Sequence, residues 1–264
     1  MITRKGVFMQ LWKSFAVDLA KKAGALLKDK FSQAHQIHYK GDINIVTEAD
    51  KMSEDLIMES IRRRFPDHGI LSEESPAVAG TGKFRWIIDP LDGTTNYAHG
   101  YPVFCVSIAL EVENKVALGV IYDPMRDDMF VAAHGEGAFL NETRITVSSV
   151  KDLSRSLLAT GFPYDIRESK ENNLDYFNAM AVKVQAIRRA GAAALDLAYL
   201  AAGRFDGFWE LKLKPWDTAA ASLMVEEAGG VISEINGNEW HLQSPNVLAS
   251  NGLIHEQMIN VFKK

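Results

Sequence analysis

"WIIDPLDGTTNYAHG", residues 86–100, sets an apolar run against two carboxylates, Asp89 and Asp92, three positions apart around Pro90 and followed at once by Gly93-Thr94-Thr95. "RWIID" reads as a short buried strand, so the motif begins at a strand end. An acid directly after Trp-Ile-Ile is costly unless something positive meets it. Pro90 keeps the chain out of helix, which lets Asp89 and Asp92 turn toward the same point. Gly93 permits close backbone approach, and successive N–H groups at the start of a helix make an anion pocket suited to phosphate.

Outward from that motif, residues 103–140 alternate apolar runs with turn signals at Glu113-Asn114, Asp123-Pro124 and Gly135-Glu136-Gly137, which predicts an antiparallel meander. Toward the N-terminus, Leu11, Phe15, Leu19, Ala23, Leu26, Leu27 and Phe31 recur at helical spacing. A polar link over residues 32–46 leads to a second helix that begins at Thr47, carries Met52, Leu56, Ile57, Ile61 and Phe65 inward, and stops at Pro66. Thr47 and Asp50 have capping-box spacing, with Asp in place of the longer Glu. "HGILSEESPAVAGTGKF" reads as a loop.

Past residue 150 the pattern mixes strands and helices. Strands are expected in "SLLATGF", "FDGFWE", "GGVISEI" and "NVLAS". Helices are expected in "SKENNLDYFNAMAVKV", in "AAALDLAYLAAGR" with Gly203 as its closing cap, in "DTAAASLMVEEAGG" and in "GLIHEQMINVF". The fold class is therefore α+β. With no repeat, low-complexity tract or linker, residues 1–264 read as one domain with a soft subdivision near residue 150.

A chain of 264 residues with 47% hydrophobic content supplies a sizeable core. The net charge of -5, with 29 basic and 34 acidic residues interspersed, argues against nucleic acid or an anionic membrane as direct partner and for a small molecule. The single cysteine, Cys105, lies in an apolar run, reads as a buried small hydrophobe and suits a reducing compartment. No signal peptide or membrane-length apolar stretch is legible, so the expected location is cytoplasmic. The seven histidines show no metal-binding spacing.

Carboxylates meet turns in four places: Asp50, Glu73 with Glu74, Asp89 with Asp92, and Asp217. Each alone has a plain structural reading: Asp50 as a first-turn acid, Asp217 as an N-cap after "KPW", Glu73 and Glu74 as solvated loop. Taken together they offer oxygen ligands from separate segments, as hard divalent cations such as magnesium require. Beside a phosphate cradle, such a set implies metal-assisted phosphoryl chemistry. Arg188-Arg189 reads equally as an anion-binding pair or a solvated helix start.

These residues resemble the inositol monophosphatase family of magnesium-dependent, lithium-sensitive phosphatases. "WIIDPLDGTTNYAHG" is similar to the first family motif and "KPWDTAAASLMVEEAGG" to the second, while "GILSEES" and "NIVTEAD" fall where the family carries its other acids. The resemblance covers nearly the whole chain, and the stretch from Arg188 to Asp217 looks most like the bacterial branch.

The resemblance implies a layered αβαβα sandwich of the inositol monophosphatase and fructose-1,6-bisphosphatase type, commonly a homodimer. It also implies two to three Mg2+ ions per site and hydrolysis of small phosphorylated polyols or sugars, foremost inositol 1-phosphate, by a metal-activated water attacking in line. Carried over residue by residue, Glu73, Asp89, Asp92 and Asp217 are the side-chain metal ligands and the Leu91 carbonyl adds another. Thr94 and Asp50 position and activate the water, with Glu73 holding its metal, and the Gly93 and Thr94 amides hold phosphate. Leu91, Asp92 and Asp217 also border the substrate, and Arg188, Gly191, Ala192, Ala193 and Glu210 fall where relatives touch the alcohol. Thr95 and Asn96 follow Thr94 where relatives that cleave nucleotide bisphosphates or histidinol phosphate tend to carry a lysine, which favours the inositol phosphatase branch. Two alternatives accompany this reading. One is activity on fructose 1,6-bisphosphate, with Lys212 and Lys214 near a second phosphate. The other is an added, non-catalytic role as a binding partner in RNA synthesis, as in some bacterial relatives.

Overall fold

The computed structural model describes residues 4–31, 37–39 and 45–263. Two long helices, α1 (Arg4–Lys30) and α2 (Glu48–Arg64), flank a short antiparallel pair, β1 (Ile37–Tyr39) and β2 (Ile45–Thr47). That pair occupies part of the stretch expected as a polar link; the rest of the link lies outside the described residues. Helical spacing puts Leu19, Ala23 and Leu27 of α1 and Ile57 and Ile61 of α2 in the core. The expected capping box forms with the shorter acid: Asp50 accepts from the Thr47 N–H at 2.8 Å.

The larger sheet has seven strands in the order β3 (Gly69–Ser72), β4 (Phe84–Asp92), β5 (Cys105–Val112), β6 (Lys115–Asp123), β7 (Asp128–Ala133), β8 (Gly137–Leu140) and β9 (Thr143–Ile145). A five-residue helix, α3 (Thr94–Ala98), leaves the end of β4. From β4 onward every pairing is antiparallel, the meander expected from the alternation. β3 corrects the loop reading of its segment. Its four residues are too few to show a period, and parallel pairing with β4, Gly69 opposite Arg85 to Ser72 opposite Ile88, is what makes them a strand.

The second half forms a mixed five-stranded sheet ordered β11-β10-β12-β14-β13. Its elements run β10 (Leu157–Thr160), α4 (Leu174–Ala181), β11 (Ala186–Arg188), α5 (Ala193–Ala201), β12 (Gly207–Leu211), α6 (Pro215–Glu227), β13 (Val231–Ser233), β14 (Asn246–Ser250) and α7 (His255–Phe262). β11 replaces the helix start weighed for Arg188-Arg189: Leu157 to Ala159 of β10 recruit it as a parallel edge.

Layering follows from which faces are apolar. Trp86, Ile88, Ile108 and Val120 of the large sheet pack on α1 and α2. Ile87, Ala109 and Ile121 face the opposite way, onto Leu195 and Ala198 of α5 and Ala220 and Met224 of α6. Phe208, Val247 and Ala249 of the smaller sheet close that middle layer. Trp209 and Leu248 point outward, onto Met180 of α4 and Met258 of α7. The result is the α+β, layered αβαβα sandwich expected. Among the described residues, no helix is long and apolar enough to cross a membrane.

Candidate active site

Alternating side chains put residues three apart on opposite faces of a regular strand, so Asp89 and Asp92 need an irregularity to meet. β4 supplies it: Asp89 pairs with Ser107 and Asp92 with Cys105, three steps on one strand against two on the other. This bulge at Pro90 and Leu91 turns both carboxylates into one cleft of about 670 Å³. Ser53 of α2 pins the bulge by donating to the Pro90 carbonyl at 2.8 Å. Asp89 accepts from the Leu91 N–H at 3.0 Å, and Asp92 Oδ2 accepts from the Ala194 N–H at 2.8 Å and lies 3.6 Å from Cys105 Sγ. Asp92 thereby joins the large sheet to the start of α5.

Gly93 follows in the left-handed region at φ 94°, and a Cβ there would lie 2.9 Å from the Val103 carbonyl, so glycine is required to make the turn into α3. Thr94 is buried, with Oγ1 2.9 Å from Asp50 Oδ1 and 3.0 Å from the Leu91 carbonyl. Asp50 Oδ2 is held by the N–H and hydroxyl of Thr47, so the start of α2 orients the Asp50–Thr94 pair from behind. Glu54 of α2 accepts from the Glu74 N–H at 3.2 Å and the Ser75 hydroxyl at 2.5 Å, fixing the turn that carries Glu73 to the cleft wall.

The second half completes the wall. Asp217 lies in the first turn of α6 rather than at its cap, and reaches back to the Lys214 N–H at 2.6 Å. Glu210 comes from β12 and Asp196 from α5, both buried, and Gly191, Ala192, Ala193 and Arg189 lie between them and α3. Asn96 braces this junction by donating to the carbonyls of Val103 and Ala190, each at 2.8 Å.

Burial dominates the electrostatics. It lifts Asp92 from 3.8 to about 7, with the charge of Glu73 adding and the Ala194 N–H opposing. Asp217 rises to about 7 through burial and the charge of Asp92, against the Lys214 N–H. Asp89 is driven well above its ordinary range by burial and then by the charges of Glu73, Asp92 and Asp217. Burial also raises Asp50, against hydrogen bonds from Thr47 and Thr94. Glu210 and Asp196 are pushed well above the carboxylate range by burial and neighbouring acids, with Arg189 pulling the other way.

Among the described residues, no three His, Cys, Asp or Glu side chains are already drawn around one point. The donor set nonetheless fits a hard divalent cation by its chemistry. Asp89, Asp92 and Asp217 each give an oxygen to a backbone N–H and repel one another across the cleft wall, Asp89 and Asp92 buried and Asp217 half-buried.

Every residue expected at the site lines this cleft except two. Asp50 stands behind Thr94. Arg188, exposed at the end of β11, bonds its own strand's Ile187 carbonyl, and its neighbour Arg189 lines the cleft instead. Lys212 lines the wall with Nζ tied to Asp165 at 2.6 Å and Ser169 at 2.8 Å, so its charge is already matched. Asp196 and Glu54 went unnoticed in the sequence, where each reads as an ordinary polar residue of a helix, and the bracing role of Asn96 is visible only in the fold. A second cleft, of about 580 Å³, runs along β3 and β4, where the Arg85 guanidinium reaches Glu111 at 2.7 Å and leaves its Nε without a partner.

The chain belongs to the inositol monophosphatase family, whose sequence model matches residues 9–264. It is 44% identical over 252 residues to the inositol-1-monophosphatase of Synechocystis sp., covering 95% of this chain and 88% of that protein. It is 42% identical over 250 residues to Nus factor SuhB of Haemophilus influenzae, covering 94% of each. Its fold matches the crystal structure of the extragenic suppressor protein SuhB from Bartonella henselae with a TM-score of 0.90 and 40% identity, over 95% of this chain and 98% of that one.

Proposed function

We propose that the chain is a Mg2+-dependent phosphate monoesterase whose substrate is inositol 1-phosphate. The observation that carries this is the carboxylate wall of Glu73, Asp89, Asp92 and Asp217 lining one cleft with the Gly93–Thr94 turn. Glu73, Asp89, the Leu91 carbonyl, Asp92 and Asp217 would hold two to three Mg2+ ions, which when bound supply the positive charge that a hydrolytic phosphoryl transfer needs. The N–H groups of Gly93 and Thr94 take the phosphate oxygens.

The nucleophilic water is placed by Thr94. Its hydroxyl donates to the Asp50 carboxylate at 2.9 Å, so its lone pairs accept the water's proton and turn the water's own lone pair toward phosphorus. Asp50, raised by burial, is the group that takes up the proton through Thr94. Attack in line with the leaving alcohol inverts the configuration at phosphorus. Gly191, Ala192, Ala193 and Glu210 serve the alcohol side in this reading, with Arg189 in the place expected of Arg188.

The 44% identity to an inositol-1-monophosphatase supports inositol 1-phosphate as the substrate. Lys212, bound to Asp165 and Ser169, gives no support to a second-phosphate site. The name of the Haemophilus influenzae relative supports a second role as a protein-binding factor alongside catalysis. Lithium sensitivity, a homodimeric state and a cytoplasmic location complete the reading; the lone buried Cys105 accords with the last.

The test is phosphate release from inositol 1-phosphate, fructose 1,6-bisphosphate and adenosine 3′,5′-bisphosphate, with Mg2+, with EDTA, and with Mg2+ plus Li+. Release from the first that needs Mg2+ and is inhibited by Li+ is expected. No release from any of the three overturns the reading.

A further inference from the structure

Two acids of the cleft lining have no part in the reaction outlined above: Asp165, which is paired with Lys212, and Asp196. Asp196, in the first turn of α5, is 2% exposed and lines the cleft. Its Oδ1 is buried with no hydrogen-bond partner in the protein. A first-turn acid gains from the helix dipole, but that gain is available at the surface and does not require burial. A polar atom left buried and unpaired is costly, and such atoms are rare where no ligand is awaited. A group entering the cleft is therefore what this oxygen would pair with.

Its surroundings define the chemistry of that group. Glu210 is buried nearby on β12, so close to Gly161 that an added Cβ there would overlap its carboxylate. Arg189 interacts with both acids. Two carboxyl groups and one guanidinium offer acceptors and donors together, which suits hydroxyl groups, since each hydroxyl both donates and accepts. A second phosphate beside Asp196 and Glu210 would meet two acids and an Arg189 already engaged by both, while Lys212 is tied to Asp165 and Lys214 stands by Asp217.

We propose that Asp196 is a specificity residue that accepts a hydrogen bond from a hydroxyl of the substrate's alcohol, and that with Glu210 it selects neutral polyol leaving groups over alcohols carrying a second phosphate. This rests on the phosphatase reading above, which the experiment tests separately.

Asp196→Ala and Asp196→Asn are compared with the wild type on inositol 1-phosphate and on p-nitrophenyl phosphate, whose alcohol has no further hydroxyl. Loss of one hydrogen bond to a polar partner raises KM for inositol 1-phosphate roughly tenfold in the alanine variant, while kcat/KM on p-nitrophenyl phosphate stays within about twofold. The asparagine variant, which keeps an acceptor, restores most of the discrimination. The melting temperature of ligand-free Asp196→Ala is equal to or above that of the wild type, because an unpaired buried group has been removed. A lowered melting temperature with discrimination intact, or equal losses on both esters, assigns Asp196 a structural role and overturns the proposal. If the wild type releases phosphate from neither ester, the phosphatase reading fails. Calorimetry with inositol, inorganic phosphate and Mg2+ then decides on Asp196, and binding that is absent, or equal in wild type and alanine variant, overturns it.

Discussion

Asp92→Asn in metal-free protein should invert the usual cost of a buried substitution. Asp92 is 8% exposed, and its pKa rises from 3.8 to about 7 through burial and the charge of Glu73. From 3.8 to about 7 is about three decades in proton affinity, or about 4 kcal/mol at about 1.4 kcal/mol per decade. Because the folded value is the higher one, the stability is fully present below pH 3.8, declines as pH rises toward 7, and is gone above it. Asn keeps an acceptor for the Ala194 N–H and cannot ionise, so it escapes this loss. Urea unfolding in EDTA from pH 4.5 to 8 should therefore show the variant gaining on the wild type as pH rises, by about 3 kcal/mol across that window, with the coupled titration of Asp217 broadening the transition. Adding Mg2+ at pH 8 should restore the wild type and leave the variant unchanged. A wild-type-minus-variant difference that stays flat from pH 4.5 to 8 would refute the reasoning, because the carboxylate wall would then carry no stored repulsion.

Thr94→Val keeps the shape but removes the hydroxyl that bridges Asp50 and the reacting water, so kcat should fall about 100-fold or more with a melting temperature near that of the wild type. Asn173 accepts from Trp209 Nε1 at 2.7 Å and donates to the Thr160 hydroxyl and the Gly161 carbonyl. Asn173→Ala, at φ 72°, should cost about 3 kcal/mol in urea unfolding. His255 lies between the hydroxyls of Ser233 and Ser250, each at 2.9 Å, and burial lowers its pKa below 6.5. The unfolded chain therefore binds the proton better, so stability should drop as pH falls below 6.5, and His255→Gln should flatten that part of the profile.

The sequence carried most of the fold because long periodic segments declare themselves: the inner faces of α1 and α2 and the meander from β5 to β8 show as spacing, whereas Leu11 and Met52, in step with those faces, stand exposed, and α6 is buried without a break from Thr218 to Val225. It carried the acid set because carboxylates set against apolar runs are chemically conspicuous. What it hid was decided by partners distant in the chain. Residues 69–72 become a strand because β4 lies beside them, and residues 186–188 because β10 does. The choice between Arg188 and Arg189 is one step along the backbone beyond a three-residue strand, and a single step exchanges faces. Asp196 in isolation is a favourable helix-start acid, and its isolation from hydrogen-bond partners exists only once β12 and the bulge of β4 close over it.

The hydrogen bond from the Ala194 N–H to Asp92 closes a loop of 102 residues. Loops of that length form late, after the local hairpins and helix pairs have paid their own ordering cost. The first half of the chain brings Asp50, Glu73, Asp89 and Asp92, and the second brings Asp196, Glu210 and Asp217, so neither half owns the cleft. Recovery of activity during refolding should consequently lag the formation of hairpins and helices, because the cleft needs both halves of the chain in place.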